Sequence, residues 1–195
     1  MPQPANNPID PDAIGSGSEA GLQRARTVLR WVIVAALAVG IAAFYVLSAA
    51  AEELTGKVVR VADGDTITVL DRGNTQHKIR LMGIDAPEKG QAFGNKSRES
   101  LAAMVAGRNV VVEWHKRDRY GRLVGQVFAD RHDAGLVQIE LGMAWHYKQY
   151  AREQQPSDAQ GYAHAEVEAK AARRGLWADP KAMPPWEWRR TKAAN

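Results

Sequence analysis

The chain has 195 residues with a formal charge of +4, 45% hydrophobic and 25% charged residues, and no cysteine. The missing cysteines exclude disulfides, thiolate catalysis and cysteine-ligated zinc. The mild positive balance permits nucleic acid or an anionic membrane surface as partner without demanding either.

Residues 1–21 are rich in Pro, Asn, Asp, Gly and Ser, lack apolar periodicity, and are expected to be a disordered tail. Residues 22–51 are expected to form a membrane anchor or signal segment. Within them Arg24, Arg26 and Arg30 precede Trp31–Ala51, a run without a charged residue. About 20 apolar residues span a bilayer as a helix. The arginine cluster predicts that the N-terminus stays in the cytoplasm and that everything after Ala51 crosses. Ser48-Ala49-Ala50-Ala51 offers a cleavage pattern, but the long polar leader and long apolar run favour an uncleaved anchor. The expected location is therefore the cell envelope, as a single-pass inner-membrane protein with its folded domain outside the cytoplasm. Cleavage near Ala51 would make it secreted or periplasmic.

The folded domain is expected over 52–178. Leu54–Val61, Thr66–Leu70 and Thr75–Leu81 read as a three-stranded meander, with turns at Asp63-Gly64-Asp65 and at 71–74. A helix is expected over Asn95–Ala106, with Leu101, Met104 and Val105 on one face and Gly107 as its stop. Val110–Trp114 and Leu123–Ala129 form a second strand pair around Asp118–Arg122. Leu136–Leu141 is a short helix. Asp158–Arg173 is a long helix, capped by Asp158 and stopped by Gly175. The class is α+β, mainly β: five short strands with helices interposed, as in an OB-type barrel with three helices, following a transmembrane or signal helix. Residues 179–195 form a tail rich in Trp, Pro and Arg, suited either to packing on the barrel or to lying at a membrane surface.

Chemistry concentrates where strands end. Asp65 begins a strand and Asp85 ends one, and in a meander these ends can meet. Two carboxylates, a backbone carbonyl and waters make a hard oxygen site suited to calcium. Arg80 and Arg122 are candidate phosphate ligands, since a guanidinium fork matches two phosphate oxygens and stays charged. Trp145 and Tyr147, beside Lys148, could stack bases and hold a backbone, although core packing suits Trp145 equally well. None of the five histidines pairs at helical metal spacing, and neither a P-loop nor a Gly-x-Ser-x-Gly elbow is present.

In register, Val-Ala-Asp-Gly-Asp-Thr (61–66), Ile-Arg-Leu-Met-Gly-Ile-Asp-Ala-Pro-Glu (79–88) and Arg-Tyr-Gly-Arg (119–122) resemble the three motifs of the staphylococcal nuclease (thermonuclease) family. Ala-Trp-His-Tyr-Lys (144–148) and Arg-Arg-Gly-Leu-Trp (173–177) fit as well, so the resemblance covers Leu54–Trp177. It implies an OB barrel with three helices and calcium-dependent hydrolysis of DNA and/or RNA phosphodiesters to 3′-phosphates, by a monomeric catalytic domain. It implies Asp65, Asp85 and the carbonyl of Ala86 as metal ligands and Arg80 and Arg122 as phosphate ligands. Glu88 would orient or deprotonate water, with Tyr120, Tyr147, Trp145 and Lys148 at the substrate. Ala86 stands where the best-known member has threonine, Trp145 replaces a tyrosine, and the loop after Glu88 is shorter with fewer lysines. The rival is a catalytically silent OB domain binding nucleic acid or protein at the cell envelope. Such domains typically lose one or more of the site residues, whereas Asp65, Arg80, Asp85, Glu88 and Arg122 are all present.

Overall fold

The computed structural model describes residues 29–33 and 52–194. The expected tail over 1–21, most of the Trp31–Ala51 run and the Ala51–Glu52 junction lie outside the described residues. Residues 29–33 are helical, and among the described residues no helix is long and apolar enough to cross a membrane.

The expected meander forms β1 (Glu52–Asp63), β2 (Thr66–Asp71) and β3 (Gln76–Leu81), paired antiparallel in chain order. A two-residue strand β4 (Ile84–Asp85) follows. The second pair is β5 (Asn109–Arg117) and β6 (Leu123–Ala129). Strand β5 returns along β1, and β6 then closes the sheet by parallel pairing with β3, Ile79 opposite Leu123 and Leu81 opposite Gly125. The five long strands thus make a closed barrel, the arrangement expected of an OB-type fold. Closure removes free sheet edges and surrounds a core that includes Val58, Ile67, Val69, Ile79, Leu81, Val112 and Val127. Strand β5 runs three residues past the expected Trp114 because a register shift between Trp114 and Lys116 lets it bend and stay paired with β6 to Arg117.

Helix α1 (Gly94–Val105) lays Leu101 and Val105 on the barrel, with Met104 partly buried beside them, as the apolar spacing predicts. Short strand β7 (His132–Asp133) leads into α2 (Ala134–Glu140). This helix starts earlier than expected because the Asp133 side chain caps it, accepting from the Gly135 and Leu136 amides. Strand β8 (Trp145–His146) then pairs with β4.

Helix α3 (Pro156–Ala171) departs from the expected Asp158–Arg173 at both ends. Pro156 supplies the first turn, since a proline at the first helical position sacrifices no hydrogen bond. Asp158 therefore lies inside that turn and accepts instead from Gln126. At the other end Arg173, at φ 50°, takes the left-handed position ahead of Gly175. A fourth helix, α4 (Pro185–Ala193), folds from the expected tail.

One buried side chain ties the β1–β2 turn to the helices. The Gln138 amide of α2, fully buried, donates to the carbonyls of Gly64 and Ser97 and accepts from Ser100. Gly64 packs so closely on α1 that a Cβ would lie 1.8 Å from Ser97 Oγ. Replacing Gln138 with Leu strands the Gly64 carbonyl in the turn, whereas Ser97 lies within α1 and keeps its helical amide partner. Chemical denaturation should show a loss of roughly 1–3 kcal/mol, the cost of one buried group left unpaired.

Candidate active site

A cavity of about 680 Å³ opens where the β1–β2 turn, β3 and the β3–β4 turn meet the β5–β6 hairpin. Its floor is an ionic cluster on the barrel seam. Arg80 lies on β3, opposite Thr66 of β2 on one side and Val124 of β6 on the other. Its Nη2 donates to Asp85 Oδ1 at 2.8 Å, and its Nη1 lies 2.5 Å from Asp65 Oδ2. That Nη1 is buried and out of line for a hydrogen bond, so the Asp65 contact is ionic and a buried donor direction stays open. Burial alone would lower the Arg80 pKa. The charges of Asp65, Asp85 and Asp63 outweigh it and raise the pKa above the ordinary arginine value.

Asp65 is placed by backbone geometry. Its own amide donates to Asp63 Oδ1 in the β1–β2 turn, and its Oδ2 receives the amide of Ala86 at 2.9 Å. Asp65 is 6% exposed and Asp85 0%, so both carboxylates are withdrawn from bulk water. Desolvation raises the Asp85 pKa, and the guanidiniums of Arg189 and Arg80 offset this only partly. Desolvation and the neighbouring Asp65 charge push Asp63 up to about 7.

Arg122 reaches the cleft from the β5–β6 hairpin. Its Nε donates to Asp118 Oδ2 at 2.7 Å and its Nη1 to Thr66 Oγ1 at 3.4 Å. Asp118 also accepts from the amides of Tyr120 and Arg122, closing the hairpin tip around its carboxylate. Partial burial would raise the Asp118 pKa, but the Arg122 side chain and these amides bring it below the ordinary value. Tyr120 is exposed and its ring faces the Arg122 guanidinium at 5.4 Å. Glu88 lies on the opposite rim, half-buried, with its amide donating to Gln91 Oε1 at 3.0 Å.

Asp65, Arg80, Ala86, Glu88, Tyr120, Arg122 and Tyr147 all line the one cavity, with Asp85 bonded to Arg80 at its floor. Two expected substrate residues are not brought there. Trp145 is 6% exposed and packs edge-on against Trp177 at 5.2 Å, because its pairing in β8 turns it under the segment after α3. Lys148 is drawn away by Glu166 of α3, a carboxylate on which Lys170 also converges. Sequence reasoning missed Asp118, Gln91 and Arg189. An acid four residues before Arg122 across a Gly-containing tip is a readable sign for the first. Nothing local marks the other two.

Comparison with known proteins turns this geometry into an assignment. Residues 78–179 match the family described as staphylococcal nuclease homologues. A Haemophilus influenzae protein described as an uncharacterised endonuclease is 42% identical over 153 residues, 78% of this chain and 83% of the relative. A Shigella flexneri protein described as a micrococcal nuclease is 44% identical over 147 residues, 71% of this chain and 82% of the relative. The chain belongs to the staphylococcal nuclease family. Membership, with relatives described as endonucleases, makes this protein a nuclease, a hydrolase of phosphodiester bonds.

Replacing Asp118 with Asn frees Arg122 while leaving the barrel core untouched. A misplacement of about 1 Å costs roughly 100-fold in rate. Steady-state hydrolysis by this variant should therefore show a turnover loss of about 10- to 100-fold with the melting temperature nearly unchanged.

Proposed function

We propose that this nuclease is a calcium-dependent enzyme that hydrolyses DNA and/or RNA to 3′-phosphate products outside the cytoplasm. The observation that carries this reading is the convergence of Asp65, Asp85, Arg80, Arg122 and Glu88 on one cleft. Among the described residues no cluster of three or more His, Cys, Asp or Glu side chains is arranged as a ready metal cage. Asp65 and Asp85, two desolvated carboxylates, have the chemistry to hold a hard cation, and the carbonyl of Ala86 and water would complete its shell. Both carboxylates already face positive charge, Asp65 from Arg80 and Asp85 from Arg80 and Arg189. Bound there, calcium would supply Lewis-acid neutralisation of a phosphate oxygen.

The chain's own groups supply the remainder. Arg122 offers a planar donor fork to the non-bridging oxygens, and Arg80, held by Asp85 through Nη2, offers the open donor direction of Nη1; both stabilise the charge that grows as phosphorus becomes five-coordinate. Asp118 keeps the Arg122 fork aimed. Glu88, on the facing rim, orients the attacking water and can take its proton. Cleavage of the bond from phosphorus to the 5′ oxygen leaves the phosphate on the 3′ side. Tyr120 offers an exposed ring face to the bases, whereas Tyr147 is already stacked on Trp186.

Location outside the cytoplasm is supported by the charge-free run Trp31–Ala51 behind Arg24, Arg26 and Arg30. The same run would anchor the protein in the inner membrane unless it is cleaved near Ala51. Extracytoplasmic calcium is plentiful enough for a modest-affinity site.

The purified chain incubated with plasmid DNA should nick and linearise it with calcium and leave it intact with chelator. Glu88→Ala and Arg122→Ala should each lower turnover by about 100- to 1,000-fold, as loss of a transition-state donor does. Glu88→Ala acting at the wild-type rate would overturn the mechanism. Arg80→Ala should also abolish turnover. It should in addition cost about 3–5 kcal/mol of stability, because it leaves the buried Asp65 without a cation and Asp85 with Arg189 alone.

A further inference from the structure

The nuclease reading leaves residues 183–193 without a role, yet they grip the site at several points. Arg189, on α4, donates from Nη2 to Asp85 Oδ2 at 2.8 Å, and its Nη1 reaches Glu88 Oε1 at 2.7 Å and Asp85 Oδ1 at 3.3 Å. One guanidinium fork therefore sets the spacing between the two carboxylates. A second hold acts on the Glu88 backbone. Gln91 accepts from the Glu88 amide, and its Nε2 donates to the carbonyl of Met183 at 2.6 Å. Gly94 completes the grip, since a Cβ there would lie 2.2 Å from the Glu88 carbonyl. The helix itself is docked by Trp186, whose ring stacks on Tyr147 at 5.5 Å and 9°.

A glutamate side chain that is 38% exposed samples many rotamers unless something fixes it. Orienting a nucleophilic water requires its carboxylate to hold one position within a fraction of an ångström. We propose that Arg189 is a positioning residue of the nuclease reaction: carried in by α4, it fixes the Glu88 carboxylate over the cleft in register with Asp85. This rests on Glu88 acting in hydrolysis, as described above. The C-terminal helix is then a working wall of the active site. The opposing possibility is a plug, in which Arg189 blocks the cleft and must leave for turnover.

The test uses the full chain and its R189Q, R189K, E88Q and R189Q/E88Q variants on plasmid DNA with calcium. R189Q should lower kcat about 10- to 100-fold with KM within about threefold and the melting temperature within a few degrees. R189K should restore part of kcat, because an ammonium can hold one carboxylate but not both. The double variant should be no slower than E88Q, because Arg189 acts through Glu88. Without calcium or DNA, amide hydrogen exchange over residues 86–92 should be faster in R189Q. Unchanged or raised kcat in R189Q, or a multiplicative loss in the double variant, would overturn the proposal, and raised kcat would identify a plug. A wild-type chain that cleaves nothing would overturn the nuclease reading and with it the role of Arg189, whereas wild-type cleavage with unchanged kcat in R189Q would overturn the role of Arg189 alone.

Discussion

Asp65 and Asp85 are carboxylates withdrawn from water at the seam of a closed barrel, and much of the site follows from keeping them charged there. A buried carboxylate without a cation either takes a proton or costs several kcal/mol. Arg80 meets the need from within the sheet. It sits on β3, the strand that joins the meander to β6, so barrel closure and charge neutralisation share one residue. Desolvation still raises the Asp85 pKa with two guanidiniums beside it. The carboxylates therefore need compensating positive charge, which Arg80 and Arg189 supply in this structure.

The second organising feature is the way the cleft residues proposed to act are held by neighbours outside the proposed chemistry. Asp118 sets Arg122, Gln138 sets the turn before Asp65, and Gln91 sets the backbone of Glu88. Each support comes from a different part of the fold: the hairpin tip, the α1–α2 layer and the loop after β4. A rigid barrel supplies the strand ends, and these polar links carry that rigidity out to the loops. The cleft thus gains precision from neutral amides and one carboxylate rather than from additional apolar packing.

Much of this was legible in the sequence, for local reasons. The β-branched runs and Asp-Gly turns marked the meander, and Leu123–Ala129 matched its strand to the residue. Asp65, Arg80, Asp85, Glu88 and Arg122 could be named because each lies at a strand end or hairpin tip that the turn residues announce. What escaped depends on partners distant in sequence. Trp145 reads equally as a base-stacking ring or a core residue until Trp177 covers it, and Lys148 reads as a substrate contact until Glu166 claims it. The start of α3 was misplaced because Asp158 resembles a cap, while Pro156 is better suited to open a helix. The bend of β5 came from a register shift, which side-chain alternation alone does not reveal.

Arg189 marks the limit of that local legibility. It lies 104 residues from Asp85 and 101 from Glu88. Only the density of Trp, Pro and Arg in the tail hinted at a function, and it could equally have suited a membrane surface. The structure shows the tail paired with the barrel. Trp186 gives its ring face to Tyr147, and Arg189 spends its donors on two carboxylates of the cleft. A segment selected only for a lipid surface would turn its aromatics and arginines outward together. Here the stacked ring and the paired guanidinium both face the site, so docking against the barrel accounts for them and a surface role does not.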